Sequence, residues 1–193
     1  YATKIICGDC GSYFGAKVWH SNSKYRRVIY QCNSKFKGSH FCTTPHLYEP
    51  EIQEKFLQAF AQYFSQKDVV IKNCQFALNC LKKQESKKKE LQDELVAVNE
   101  KLKEYIQHGG EDFDALNAKY EELSAQLDAE EAAESDRKRR IAKMQKILQT
   151  LKKTDSVLET FDESVWNAVL ENLTVFHDGS LVFLFRDGTE IKV

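Results

Sequence analysis

The 193-residue sequence predicts an α+β chain in which a long antiparallel two-helix arm interrupts a small, cysteine-bearing β lobe. Three observations predict it. Four of the six cysteines, Cys7, Cys10, Cys32 and Cys42, fall early in the chain among short alternating runs. Two leucine heptads flank a break at Gly109-Gly110, and two Asp-Gly pairs punctuate short apolar runs near the end.

Hydrophobic content of 42 % and charged content of 30 % describe a globular chain with a large surface. No run approaches the roughly eighteen apolar residues of a membrane span, and no charged-then-apolar leader opens the chain, so a cytoplasmic protein is the default expectation. The sequence opens at Tyr1 without an initiator Met, which points to a fragment. Its net charge of −1 conceals an asymmetry. Residues 1–50 carry seven Lys or Arg against Asp9 and Glu49, hence +5, whereas the remainder carries 21 basic against 27 acidic residues, hence −6. A basic head on an acidic body suits contact with a polyanion, although a solvated charged face gives the same count.

Residues 1–48 read as short strands, of which Arg27-Val28-Ile29-Tyr30-Gln31 is typical, joined by turns at Gly8, Gly11, Gly15, Asn22 and Gly38. Pro50 suits the first turn of a helix. Ile52, Phe56, Leu57, Phe60, Tyr63 and Phe64 then recur at helical spacing. The first domain is therefore placed at 1–66.

From about Asp68 a heptad takes over, with Leu91, Leu95, Val98, Leu102 and Tyr105 on its seam. Gln107-His108-Gly109-Gly110 reads as a helix stop and tight turn. Phe113, Leu116, Tyr120, Leu123 and Leu127 open a second heptad, resumed at Ile141, Met144, Leu148 and Leu151. Roughly forty helical residues span about 60 Å, the length of an arm, placed at 67–153 with its turn near 107–111. Folding back about Gly109 sets Leu102 against Leu116, Val98 against Tyr120 and Leu95 against Leu123. It also brings Lys88 to Glu130 and the basic run 82–89 alongside the acidic run 128–134. A parallel coil between two chains instead opposes like charges, so the hairpin is the expected form. The polar interruption at Glu130, Glu134 and Arg137 weakens the seam at the base of the arm. Cys74 and Cys80 are read as buried free thiols on helical sequence.

Residues 154–193 form the third part. Phe161, Val165, Trp166, Val169, Leu170 and Leu173 suggest one amphipathic helix. Asp178-Gly179 and Asp187-Gly188 then separate the apolar runs 173–176, 181–185 and 189–193, a strong hairpin signal. A lone hairpin is marginal in water, so this segment is expected to dock back on the head, making the arm an insertion.

Cys7-Gly8-Asp9-Cys10-Gly11 is a C-x2-C knuckle, with Cys32 and Cys42 completing four thiol ligands for a structural Zn2+. The second pair is wider than usual, and His40 or His46 in place of Cys32 is an alternative. Disulfides are the other reading, disfavoured in a cytoplasmic chain. Four thiolates close the metal shell and leave no position for a reacting water, so the site is structural, and folding of the head is coupled to metal. The expected fold is thus a small zinc β-ribbon plus a C-terminal β-hairpin, with the antiparallel coiled coil inserted. No catalytic constellation is found. His20, His40 and His46 lack a nucleophile partner, and Ser21, Ser23 and Ser34 suit turns or phosphate contacts. By itself the fragment is not expected to be an enzyme.

The run Ile5-Ile6-Cys7-Gly8-Asp9-Cys10-Gly11, then Tyr30-Gln31-Cys32, then Cys42 with Pro45-His46-Leu47-Tyr48-Glu49, resembles the zinc ribbon of large serine recombinases. The helical arm, Val175-Phe176-His177-Asp178-Gly179-Ser180-Leu181 and Phe185-Arg186-Asp187-Gly188 are similar to that family's C-terminal region. These are phage integrases and transposon recombinases, the transposon branch looking nearer. The resemblance implies that the serine nucleophile belongs to another domain of a parent recombinase. It also implies that the ribbon reads a double-stranded DNA attachment site, and that the coiled coil meets other subunits, with a directionality factor as a further partner.

Independently of that, Lys17, Lys24, Arg26, Arg27, Lys35 and Lys37 can neutralise phosphates. Arg26 and Arg27 are the best candidates for bidentate guanine contacts, with Trp19, His20, Ser21 and Asn22 in the same hairpin, and His40 is a further candidate on the 33–41 loop beside Lys35 and Lys37. Leu102, Tyr105, Ile106 and Phe113 are candidates for a contact at the tip of the arm, or the ordinary end of a seam. The competing function is a zinc-stabilised coiled-coil adaptor that does not bind DNA. A redox centre of the kind that uses two close C-x2-C knuckles is disfavoured by the wide second pair.

Overall fold

The computed structural model describes every residue except Ala2, residues 37–41, Glu85 and residues 109–112. The class is α+β, and the chain divides into two compact units. Tyr1–Gln75 and Lys143–Val193 form the first, and Phe76–Ala142, inserted between them, forms the second. The insertion is shorter than the periodicity-based 67–153: buried Val70 and Cys74 at one end, and buried Ile147, Leu148 and Leu151 at the other, belong to the first unit.

The first unit holds two sheets. One is built from β2 (Phe14–Trp19), β3 (Arg27–Cys32) and the two-residue β4 (Leu47–Tyr48), all antiparallel. The other has the order β1 (Ile5–Cys7), β5 (Leu170–Val175), β6 (Leu181–Phe185), β7 (Glu190–Lys192). β1 runs parallel to β5, with Ile5 opposite Leu173 and Cys7 opposite Val175. The Leu173 N–H donates to the Lys4 carbonyl at 2.7 Å and the Gly8 N–H to the Val175 carbonyl at 2.8 Å. The tail therefore docks by extending a sheet through the strand that leads into the first cysteine. Gly179 and Gly188 take positive φ of 82° and 94° in the two turns, the backbone that Asp-Gly pairs allow.

Helix α1 (Glu49–Ser65) begins with Pro50 in its first turn, and the Glu51 carboxylate accepts the Tyr48 N–H at 3.3 Å. Its apolar stripe, Ile52, Phe56, Ala59, Phe60 and Tyr63, is fully buried. Phe56 packs edge-on to Trp166 with ring centres 4.9 Å apart, and Tyr63 stacks on Phe185 at 3.9 Å. Burying such side chains contributes about 1.5–3 kcal/mol each, so this seam holds the unit together. The short helix α5 (Glu163–Val169) is capped by Asp162, whose Oδ1 accepts the Ser164 and Val165 N–H groups at 2.7 and 3.2 Å. It ends earlier than its apolar spacing suggests. Leu170 and Leu173 belong to β5, where the chain turns extended to pair with both β1 and β6. An irregularity between Leu170 and Asn172 re-aims Glu171, which meets Lys143 at 2.7 Å and Arg186 at 3.5 Å.

The first limb of the arm is not the single heptad run read from the sequence. Gln66 separates α1 from α2 (Lys67–Lys83), and Gln84, Ser86 and Lys87 lie outside both α2 and the next helix, α3 (Lys88–His108). Ser86 Oγ accepts the Lys88 N–H at 3.2 Å and restarts the helix. The crowding of Lys82, Lys83, Lys87, Lys88 and Lys89 disfavours carrying one helix from α2 into α3. α4 (Phe113–Lys153) is continuous. Within the inserted unit, Val98 and Leu102 of α3 bury against Leu123 of α4, with Leu91, Leu95, Leu116 and Tyr120 packed around them. These are the residues that folding back at Gly109 brings together, although that turn lies outside the described residues. Lys88 pairs with Glu131 at 2.8 Å rather than with Glu130, which faces Arg137 at 3.8 Å. The step of one residue turns the pair from the seam to its solvated flank, so it is an exposed ion pair of little energetic weight. Cys74 is buried as expected, but Cys80 is exposed.

Candidate metal centre and nucleic-acid interface

The four cysteines converge. The sulfurs of Cys7, Cys10, Cys32 and Cys42 all lie within 4.8 Å of one another, with Cys7 to Cys42 at 3.5 Å and Cys10 to Cys32 at 3.4 Å. None is in a disulfide. A tetrahedral ion with metal–sulfur bonds of about 2.3 Å places its ligands about 3.8 Å apart, so the cluster fits a zinc ion with modest adjustment. Four soft thiolates suit zinc, and together they leave no open position, so the ion is structural.

Local backbone geometry presents the sulfurs. Cys7 ends β1 and Cys32 ends β3. Gly11, at φ 71°, lets the knuckle curl so that its N–H reaches the Cys7 carbonyl at 2.9 Å. A Cβ on Gly8 would fall 2.5 Å from the Phe176 ring, so the absence of a side chain there lets the tail close over the knuckle. Thr44 is wholly buried among the ligands. Its Oγ1 sits 2.9 Å from Cys7 Sγ and 3.0 Å from Cys42 Sγ, and it donates to Asp9 Oδ2 at 2.6 Å. A hydroxyl tied to two sulfurs and a carboxylate orients the ligands as outer-shell groups do around metals. Without a cation the thiols titrate far apart. Backbone N–H donation from Ser12 holds Cys10 down to about 6, whereas burial pushes Cys32 up to about 12 and raises Cys7. Binding a divalent ion needs all four sulfurs deprotonated, so Cys7 and Cys32 would release their protons as it enters.

His46 is not a ligand. Its ring packs against Trp19, centres 4.8 Å apart, and against Tyr48 at 5.2 Å. His40, the other suggested substitute, lies outside the described residues, as does Lys37.

The cationic candidates divide. Lys17, Trp19, His20, Ser21, Lys24, Arg26 and Arg27 are all exposed on β2, β3 and the turn between them. His20 takes a positive φ of 54°, and the Ser23 and Arg26 N–H groups close the turn onto His20 and Ser23 carbonyls at 3.0 Å. Lys35 is placed differently: its ammonium donates to the Thr44 carbonyl at 3.1 Å, which fastens it to the metal lobe. On one face of the small sheet, Trp19, opposite Arg27, joins His46 and Tyr48, and the Arg27 guanidinium lies 5.5 Å from the Tyr48 ring centre. Sequence reasoning missed His46 and Tyr48 as members of this face. Their alternate spacing after Pro45, which in extended chain sends both side chains the same way as β4 begins, is the signal that identifies them. Exposed Tyr25, with Lys24 over its ring at 5.2 Å, extends the aromatic and basic surface.

Of the arm-tip candidates, Leu102 belongs to the hairpin core and Tyr105 packs on Phe113 with centres 5.3 Å apart. Ile106 and Phe113 are exposed. No helix among the described residues is long and apolar enough to cross a membrane.

Comparison with known proteins bears on the metal lobe. No curated protein matches the chain. A solved structure described as a crystal structure of an LSR–DNA complex is similar at 18 % identity and a TM-score of 0.39, over 94 % of this chain and 54 % of that one. This chain therefore spans about half the length of that one. Residues 1–61, which contain all four clustered cysteines and the exposed hairpin, match the family model of the recombinase zinc beta ribbon domain.

Proposed function

We propose that this chain is the C-terminal DNA-binding and synapsis-controlling module of a large serine site-specific recombinase, which integrates or excises a mobile element. One observation carries the reading: within the region similar to recombinase zinc ribbons, a single strand links the metal cluster to the exposed basic hairpin. β3 begins at Arg27 and ends at ligand Cys32. The five steps between them, at about 3.3 Å each, hold the hairpin end roughly 16 Å from that ligand. A two-stranded ribbon of that kind fits the major groove of B-DNA, about 12 Å wide. Lys17, Lys24, Arg26 and Arg27 supply phosphate or guanine contacts, and the ring of Tyr48 pre-orients Arg27. The serine chemistry of the parent recombinase belongs, in this reading, to residues other than these. The exposed Ile106 and Phe113 are the surface through which arms of neighbouring subunits, or a directionality factor, engage.

The test is a mobility-shift titration of the zinc-loaded chain on its attachment site at several salt concentrations. Arg26→Ala with Arg27→Ala is expected to weaken binding by about tenfold or more and to lower the salt slope by about two. Unchanged affinity and slope would instead favour a zinc-stabilised adaptor that does not use DNA.

A further inference from the structure

Away from the metal lobe, a cavity of about 370 Å³ opens between the first turns of α1 and α5, lined by Tyr1, Glu49, Gln53, Phe161, Glu163 and Trp166. We infer that this cavity is a binding site for a cationic side chain, Lys or Arg, carried by a peptide segment.

Three features point to that ligand. The first is an aromatic wall. The rings of Tyr1, Phe161 and Trp166 lie with centres 5.2–5.8 Å apart pairwise, and the two partly exposed ones, Tyr1 and Phe161, can offer a ring to a cation, guanidinium and ammonium alike. The second is uncompensated negative charge. Glu49 and Glu163 both line the cavity, no basic side chain does, and neither carboxylate has an ion-pair partner among the described residues. The third is an orphaned donor. Trp166 is 1 % exposed, yet its indole N–H has no acceptor among the described residues. Buried donors are rarely left unpaired, so an acceptor brought to this ring by a ligand would meet a standing need.

Each carboxylate has an ordinary role as a first-turn acid favoured by its helix dipole. That role does not explain why two helices bring their acids to one aromatic-walled cavity beside an unpaired N–H. The same features argue against other occupants. Two carboxylates repel phosphate and other anions, and they are too few to enclose a hard divalent cation, which takes six or more oxygen ligands. A purely apolar ligand would leave the charges and the indole N–H desolvated without partners. The volume lies at the lower end of ligand pockets, roughly 300–1,000 Å³, enough for one extended side chain with its backbone. Burial, with the charge of Glu49 adding to it, pushes the Tyr1 hydroxyl up to about 12, in keeping with a site of negative potential.

The sequence has two tryptophans, so Trp19→Phe leaves Trp166 as the sole indole reporter. In that background, the fluorescence of the zinc-loaded chain is titrated with N-acetyl-arginine amide, N-acetyl-lysine amide and the neutral analogue N-acetyl-citrulline amide. A saturable change is expected with both cations, at least about tenfold weaker with citrulline. It should also be about tenfold weaker after Glu49→Gln with Glu163→Gln, the scale of two partly screened charge contacts. Glu163→Lys places a tethered cation at the cavity and should abolish the response to added ligand. The proposal is overturned if the unsubstituted glutamates give no saturable change, if citrulline binds as well as arginine, or if natively folded double-Gln protein binds undiminished. The citrulline comparison needs no cavity substitution, so a variant that failed to fold would not obscure the result.

Discussion

Thr44 shows how much a single buried hydroxyl contributes at the metal cluster. It touches Cys7 and Cys42 and holds Asp9 at 2.6 Å, so it fixes two ligands and the knuckle between them. Thr44→Val keeps the volume and removes every one of these contacts. Zinc affinity, measured by competition with a chromophoric chelator, should fall by about 10–100-fold, the range seen when outer-shell partners of metal ligands are removed. An unchanged affinity would mean that the four sulfurs are positioned by backbone alone. At this scale the sequence was legible where chemistry restricts residue type. Cysteines at 7, 10, 32 and 42 have few other uses together, and they converge. Thr44 was not legible, because a threonine two residues after a ligand is compatible with any loop. Its role comes from a wholly buried position that spacing does not encode. Lys35 is the converse case: its charge suggests phosphate, but the fold assigns its ammonium to the Thr44 carbonyl.

Among the elements, the α3–α4 pair depends on a narrow core. Val98, Leu102 and Leu123 are its only buried members in the described cluster, with Leu91, Leu95, Leu116 and Tyr120 half-covered around them. Leu123→Ala should therefore cost about 2–5 kcal/mol, a large share of what so small a core provides. Thermal melting followed at 222 nm should show loss of helix at lower temperature than in the parent chain. The aromatic seam of the first unit, reported by Trp166 with Trp19 replaced, should melt where it did before. A single melting point lowered equally for both signals would mean that the two units fold as one. The heptads were readable because a period near 3.5 is a local property of the chain. The interruption between α2 and α3 was not, since the basic residues on either side of it continue the polar face of a helix. The Ser86 hydroxyl that accepts the Lys88 N–H at the start of α3 is a contact that helical spacing does not announce.

For the molecule as a whole, stability should respond to metal and to alkali through different parts. Chelation should unfold the ribbon strands while the arm keeps its helical signal, because the arm has its own apolar core and no ligands. Loss of the arm's helix on chelation would contradict that. Part of the alkaline response belongs to Cys74, which burial, with the charge of Asp187 adding, pushes from 9.0 to about 11. A group whose folded-state value is raised binds its proton more tightly when folded, so its contribution is full below the unfolded value and is lost as pH rises toward the folded one. The urea midpoint should therefore drop between about pH 9 and about pH 11, and Cys74→Ala should flatten that part of the decline relative to its own value at neutral pH. Tyr63, also raised by burial, adds to the decline in the same direction.

Local patterns in the chain were enough to establish the α+β class, the metal ligands, the heptads that pack as a hairpin and the two Asp-Gly turns. Each reflects interactions between residues a few positions apart, or a chemistry that few residue types perform. The parallel pairing of Ile5–Cys7 with Leu173–Val175, the gathering of Trp19, His46 and Tyr48 with Arg27, and the acidic aromatic cavity beside Tyr1 were left to the folded molecule. These join segments that are far apart in sequence, and which partners meet depends on loop closure and on the competition for burial, neither of which has a period to read.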